Sequence, residues 1–249
     1  MKIQQIRNAT MKISYGEHTF LTDPLLAPKH SYDPFTGKSR NPTVDLPCPP
    51  EEVVAGIDAV LVSHIHIDHF DPAAKERLPK EISLFCQPSD SERLTRKGFQ
   101  SVRPIEASYT WEGVTINRTG GRHGTGNWGE KMGRVSGFVL QHENESTLFW
   151  AGDSIWCDAV AEAIKDSHPE IIITHSGGAR FPDSDPIIMD EEQTISLCRA
   201  APDAVVVAVH LEALDHCPVT RAGLRSLAEK RGIPAQQLLI PADGETIRM

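Results

Sequence analysis

The hydrophobic pattern begins with three short runs, "KIQQIR", "MKISYG" and "HTFLTD", in which apolar and polar residues partly alternate. A period of two sends successive side chains to opposite faces of an extended chain, so these runs predict strands, with Gly16-Glu17 at a hairpin turn. "IDAVLVSH" (57–64) has continuous Val and Leu content, the mark of a strand buried on both faces. "DPAAKERL" then opens a helix with Asp71 as N-cap and Pro72 at its first position. "ISLFCQ" reads as a strand and "SDSERLTRKGF" as a helix stopped by Gly98. "SYTWEGVTINRT", "SGFVLQHE" and "STLFWAGD" follow as an antiparallel group, turning at Glu112-Gly113 and Glu143-Asn144.

After Asp153 helix and strand alternate. "CDAVAEAIKD", "DEEQTISLCRAA" and "TRAGLRSLAEKRG" are helical, the second with Asp190 as N-cap and Gln193 at the capping-box position. "EIIITH" and "DAVVVAVH" are strands, and "QLLIPADGETI" is read as one last strand. Strands first and alternating units later predict an α+β fold of two mixed sheets packed face to face, with helices outside. No repeat, Gly/Ser linker or low-complexity tract divides the chain, so 1–249 is read as one domain. Residues 24–50, rich in Pro and polar residues, are too long for an ordinary connection and predict a functional loop or lid.

Composition narrows the classes of partner. The chain has 249 residues, 39% of them hydrophobic, enough for one sizeable core. A formal charge of -9 opposes broad binding to nucleic-acid phosphates and points to a small-molecule substrate. The five cysteines are dispersed with no CxxC and no signal peptide precedes them, which reads as reduced thiols in the cytoplasm. No apolar run approaches the roughly 18 residues of a membrane span. A homo-oligomer stays open.

The chemistry concentrates in "LVSHIHIDHFD" (61–71), where His64, His66, Asp68 and His69 crowd the end of a buried strand. His123 in "GGRHGTGNWG", Asp153 in "FWAGDS" and His210 in "VVVAVHLEALDH" also follow predicted strands. Strand ends in layered folds converge on one rim, where ligands distant in sequence can meet. Imidazole and carboxylate form the donor set of zinc and similar divalent ions. Five histidines and two aspartates suit a pair of ions about 3.5–4 Å apart. His142 and His216 are rivals for two of these places; the first runs into the solvated turn "ENES" and the second sits in a polar loop before Pro218. Asp23 either orients a ligand imidazole or is a plain turn residue before Pro24. His175 ends "EIIITH" and either binds substrate or protonates a leaving group, or is a satisfied structural histidine. Arg122, Arg134 and Arg180 border the predicted rim and could hold an anionic group, with a solvated face as the simpler reading. Trp128, Trp156 and Phe181 are candidates for a pocket wall or for core.

The run His64 to His69 matches the HxHxDH signature of the metallo-β-lactamase superfamily, and His123, Asp153 and His210 fall in the order that superfamily uses. "LTDPLL" (21–26) and "AGDS" (151–154) most resemble the branch that includes L-ascorbate-6-phosphate lactonase. The resemblance implies a four-layer αβ/βα sandwich with a dinuclear centre on one edge. It implies that His64, His66 and His123 hold one ion, that Asp68, His69 and His210 hold the other, and that Asp153 bridges them. It further implies hydrolysis by a hydroxide shared between the ions, with Asp68 orienting that water or taking its proton. Zinc is the first expectation for the metal, with manganese or iron also suited to the donors. The implied substrate is a small, possibly phosphorylated lactone, ester or amide. A phosphodiesterase or nuclease on the same fold and a non-catalytic metal-bound ligand sensor are the alternatives. A di-iron protein, the remaining one, would want a carboxylate where His66 stands.

Overall fold

The computed structural model describes all 249 residues. One sheet is built from β1 (Lys2–Arg7), β2 (Thr10–Tyr15), β3 (His18–Thr22), β4 (Ala59–Val62), β5 (Ser83–Cys86) and β6 (Val102–Pro104) in that order. The other contains β7 (Ser108–Trp111), β8 (Val114–Thr119), β9 (Gly137–His142), β10 (Glu145–Trp150), β11 (Ile171–His175), β12 (Val205–Val209) and β13 (Leu238–Leu239). β14 (Thr246–Arg248) then returns to the first sheet, antiparallel to β1. Each sheet is half antiparallel and half parallel: β3 to β6 are parallel neighbours, and so are β10 to β13. The helices are α1 (Pro50–Val54), α2 (Pro72–Arg77), α3 (Ser91–Arg96), α4 (Gly126–Met132), α5 (Asp158–Ser167), α6 (Glu191–Ala200) and α7 (Arg221–Lys230).

Period-two alternation produces four layers. Ala59 and Leu61 of β4 meet Ile171 and Ile173 of β11 and Val207 and Val209 of β12 in the core between the sheets. Their neighbours Val60 and Val62 face outward to Ala73, Ala74 and Leu94 of the helices on that side. Ile172, Val206 and Ala208 likewise face Val160, Leu197 and Leu224 of the helices on the other side. Strands covered on both faces need apolar residues at every position, which is why β4, β11 and β12 read as unbroken runs. Each fully buried Ile, Leu or Phe contributes about 1.5–3 kcal/mol.

The structure departs from the sequence reading in identifiable places. "QLLIPADGETI" is two strands in different sheets, because Pro241 lacks a ladder donor and the turn ending at Gly244 redirects the chain. α4 lies in "GNWGEKM", where two glycines hide it; Trp128 and Met132 pack on the cluster beneath and supply what helix propensity does not. β6 and α1 are too short to show a period. Asp190 caps α6 by accepting from Gln193 N, but the Gln193 amide oxygen accepts from Trp156 N instead of completing a capping box. The five cysteines are free thiols, and no helix is long and apolar enough to cross a membrane.

The segment 24–50 has little regular structure, yet it is tied down. The fully buried Arg7 guanidinium donates to the carbonyls of Leu25, Ala27 and Val44. Asp71 caps α2 through Ala74 N and also accepts from Leu26 N, Ala27 N and the Tyr32 hydroxyl. Asp215, between β12 and α7, accepts from the main-chain N–H groups of Phe35, Thr36 and Lys38 and from Asn41 Nδ2. Burial works against the Asp215 charge, but bonds from Asn41, Thr36 and Phe35 outweigh it and hold the carboxyl well below its ordinary 3.8. A depressed carboxyl gives stability that is present above the ordinary value and lost as pH falls through the depressed one. The tie is therefore intact at neutral pH and loosens only in strong acid. Asp215→Ala should make residues 29–40 protease-sensitive at neutral pH, where the wild type resists; equal cleavage rates there would contradict this anchoring.

Candidate metal centre

The parallel strands of both sheets end on one rim. Asp23 follows β3, His64 to His69 follow β4, His123 follows β8, Asp153 follows β10, and His210 follows β12, while His175 is the last residue of β11. The possible ligand atoms fall into three groups: His64 with His66 and His123, Asp68 with His69, Asp153 and His210, and Asp23 with His64 and His69. Asp153 joins the first two. Its Oδ2 lies 3.0 Å from His69 Nε2, 3.5 Å from His123 Nε2 and 3.8 Å from His64 Nε2. Asp68 Oδ2 is 3.3 Å from His69 Nε2 and 3.4 Å from His210 Nε2. His64 Nε2 and His66 Nδ1 are 2.9 Å apart.

Hydrogen bonds behind the rings fix which nitrogen faces inward. His69 Nδ1 lies 2.7 Å from Asp23 Oδ2, and His123 Nδ1 lies 2.8 Å from the Ile187 carbonyl, so in each ring Nδ1 is the protonated atom. The Asp23 carboxylate is filled, since it also accepts from Ser63 N and the Ser63 hydroxyl. Asp23 therefore orients His69 rather than offering a ligand. The inward Nε2 atoms of His69 and His210 are buried with no hydrogen-bond partner. Such orphans are costly unless something binds them.

The electrostatics ask for the same thing. Burial, then the neighbouring imidazoles of His69 and His66, push His64 well below its ordinary value, and burial pushes His123 down to about 4. Both rings are neutral and present lone pairs. Burial disfavours ionised Asp68 and Asp153, yet His69 above all outweighs it and holds both carboxyls well below the usual range. For His69 burial is likewise overcome, here by Asp153, Asp68 and Asp23, so it is raised well above its ordinary value. No lysine or arginine pairs with these carboxylates, and the positive charge they require falls on a proton at His69. A divalent cation supplies that charge better and satisfies the orphaned nitrogens, so the donor set fits a metal.

The seven residues expected as ligands thus meet in one place, and of the two readings of His175 the geometry fits the satisfied structural histidine. It is fully buried behind Asp153. The Trp150 indole N–H, which can only donate, gives its bond to His175 Nε2 at 2.9 Å. Nδ1 then carries the proton and donates to Asp153 Oδ1 at 2.5 Å. With both nitrogens engaged, His175 positions Asp153 and has none free to protonate a leaving group. Arg180 is drawn to Asp190, 3.6 Å away; Arg122 and Arg134 line a cavity beyond His123, and Arg134 also borders a hollow beside His64 and His66. His142 packs against Gly16 and Gly113, remote from the cluster. His216 is no member of the metal-ligand groups but lines the cavity above them.

Two residues escaped the sequence reading. Asn8, buried in the β1–β2 turn, donates from Nδ2 to the Asp68 carbonyl, and its own carbonyl accepts from His210 N. Asn8, Asp23 and His210 all have positive φ, a conformation held by such surrounding bonds. Gly177 is required by close approach, because a Cβ there would stand 2.1 Å from the His210 carbonyl oxygen. Neither has a signal in a single sequence beyond being Asn or Gly near a strand end. Asn8→Gly keeps the backbone permissive and removes only the side-chain bond. It should weaken metal retention by about tenfold in chelator competition while leaving the fold intact; unchanged retention would mean that Asn8 does not support the centre.

A family profile described as Beta-lactamase superfamily domain matches residues 18–211. The chain is 38% identical over 252 residues to UPF0173 protein YddR of Bacillus subtilis (strain 168), covering 99% of each. It is similar to the crystal structure of an isothiocyanate hydrolase from Delia radicum gut bacteria, with a TM-score of 0.95 and 37% identity over 100% of this chain and 99% of that one. It is equally similar to a possible metal-dependent hydrolase from Veillonella parvula DSM 2008, with a TM-score of 0.97, 33% identity and the same coverage. None of the three is described as a lactonase. With the αβ/βα layering and the His/Asp cluster on its rim, the chain belongs to the β-lactamase superfamily and, within it, to the UPF0173 family.

Proposed function

We propose that this hydrolase uses two divalent ions on a small, uncharged, apolar electrophile, of which an isothiocyanate is the best-supported class. The observation that carries the substrate class is the cavity above the cluster. It has a volume of about 220 Å³ and reaches His66, Asp68, His123 and Asp153. Its other walls are Phe35, Ile67, Met132, Phe181, Ile187 and His216, with no lysine or arginine among them. Phe181 is held by stacking on Trp128, with ring centroids 4.2 Å apart and planes 6° from parallel. Such walls favour an apolar body and offer nothing to a phosphate. That argues against the phosphorylated substrate suggested by the lactonase resemblance, and the likeness to an isothiocyanate hydrolase supports the alternative.

His64, His66 and His123 would hold one ion and Asp68, His69 and His210 the other, with Asp153 between them. The mixed imidazole and carboxylate donors suit zinc first, and manganese or iron as well. Such a pair, when bound, supplies a water of lowered pKa and a Lewis acid for the electrophile. The chain's own groups do the rest. Asp68 lines the cavity, and its Oδ2 faces His69 and His210 while its other oxygen makes no hydrogen bond within the protein. That oxygen is placed to accept the proton of the attacking water. Burial lowers His216 to about 4, so its ring is neutral, and its Nδ1 has no hydrogen-bond partner. Phe35 sets the ring from the 24–50 segment by edge contact, with centroids 5.0 Å apart. His216, rather than His175, is placed to hold a proton near the substrate nitrogen. Addition of one water across the N=C bond, transfer of a proton to nitrogen and cleavage of the C–N bond convert R–N=C=S and water into R–NH2 and carbonyl sulfide.

Purified metal-loaded protein should release amine from an aryl or alkyl isothiocyanate over many turnovers and stop when a chelator is added. A phosphate monoester or lactone of similar size turned over with higher kcat/KM would overturn the substrate class, and absence of turnover on all of them would favour a ligand sensor. Phe181→Ala should lower kcat/KM for the isothiocyanate about tenfold at unchanged metal content. His216→Phe should lower kcat about a hundredfold with little change in KM, as loss of a proton-handling group does.

A further inference from the structure

A second cavity lies on the far side of His123. Its volume is about 520 Å³, and Val135 is its one apolar lining residue. It is bounded by the loop before α4, by α4 itself and by Arg118, Arg122 and Arg134. The Arg118 guanidinium is engaged, donating to the carbonyls of Ile105 and Glu106. Arg122 and Arg134 are not: only their main-chain atoms are bonded, Arg122 N to the Ser154 hydroxyl and the Arg134 carbonyl to Gln87 Nε2. The main-chain N–H groups of Gly120, Gly121 and Gly124 also donate no hydrogen bond within the protein, although Gly124 is buried. Two carboxylates, Glu106 and Glu130, border the cavity, and they are exposed to solvent, as are Arg122, Arg134 and Gly120.

Unpaired guanidinium groups and unpaired backbone N–H groups around one hollow are the donors that oxyanions take. Their presence in a chain of formal charge -9 is local and specific. We propose that this cavity is a binding site for a small multivalent oxyanion, a phosphate or a polycarboxylate, separate from the metal cluster. Arg122 and Arg134 immediately bracket the segment 123–133, which carries His123, α4 and the Trp128 and Met132 side chains. An anion engaging both would tether the two ends of that segment. The site is therefore linked to the metal centre through His123, and to the apolar cavity through Met132 in its lining and Trp128 stacked beneath Phe181. A ligand there stiffens the wall of the reaction cavity without entering it.

Hydrogen–deuterium exchange on the metal-loaded protein tests this, with inorganic phosphate in one arm and citrate in another. Protection confined to 120–134 is expected with at least one of them, and the arm that protects identifies the source of the oxyanion. The Arg122→Gln/Arg134→Gln variant should keep metal content, thermal midpoint and basal activity, and lose the protection through an affinity weakened by about tenfold or more. Protection that survives in the variant would place the anion on the metal cluster and overturn the proposal. So would absence of protection at millimolar concentrations of both anions. Neither result bears on the substrate class, which is read from turnover without added anion.

Discussion

Three carboxylates, Asp23, Asp68 and Asp153, are buried within a few ångströms of one another at the ends of strands, and no lysine or arginine compensates them. Much of the rim is organised around that constraint. Asp23 is answered by Ser63 and His69. Asp153 is answered on one oxygen by His175, itself fixed by Trp150, and on the other by the open sides of three imidazoles. The remaining deficit of positive charge is concentrated where the inward nitrogens of His69 and His210 lack partners. A fold that places so much unpaired donor capacity in one spot loses stability unless a cation occupies it, so metal binding and the stability of this rim are one quantity.

The two sheets explain why such a site can be rigid. The turns that carry His64 to His69 and His210 leave strands buried on both faces, and β8, before His123, is buried on its core face, so the turns have little freedom relative to each other. The covering parts are held by other means. Arg7, Asp71 and Asp215 fasten the irregular segment 24–50 by its backbone, and that segment delivers Phe35 to the cavity. The candidate ligands thus sit at strand ends, while most of the apolar cavity wall comes from loops and α4.

Much of this was legible in the residues themselves. The period-two runs gave nearly every strand, because burial on one or both faces writes itself into the pattern. That these seven residues would cluster was legible because imidazole and carboxylate after an apolar run have few structural reasons to recur. What stayed hidden depends on three-dimensional neighbours. α4 is stabilised by packing of Trp128 and Met132 against propensity, and the two short strands after Gln237 are separated by a proline inside what reads as one apolar stretch. Asn8 acts through its backbone as much as its side chain, and Gly177 acts by having no side chain. Which of the two readings His175 takes is something that sequence cannot carry: the indole behind it consumes the nitrogen that its strand-end position promised.

The donor set would hold two ions with Asp153 between them, and elemental analysis of protein reconstituted with zinc, in wild type and in His210→Ala, decides whether it does. Two ions per chain falling to about one in the variant is the expected result, since His210 serves only one half of the cluster. A single ion in the wild type, or a content unchanged by His210→Ala, would contradict it.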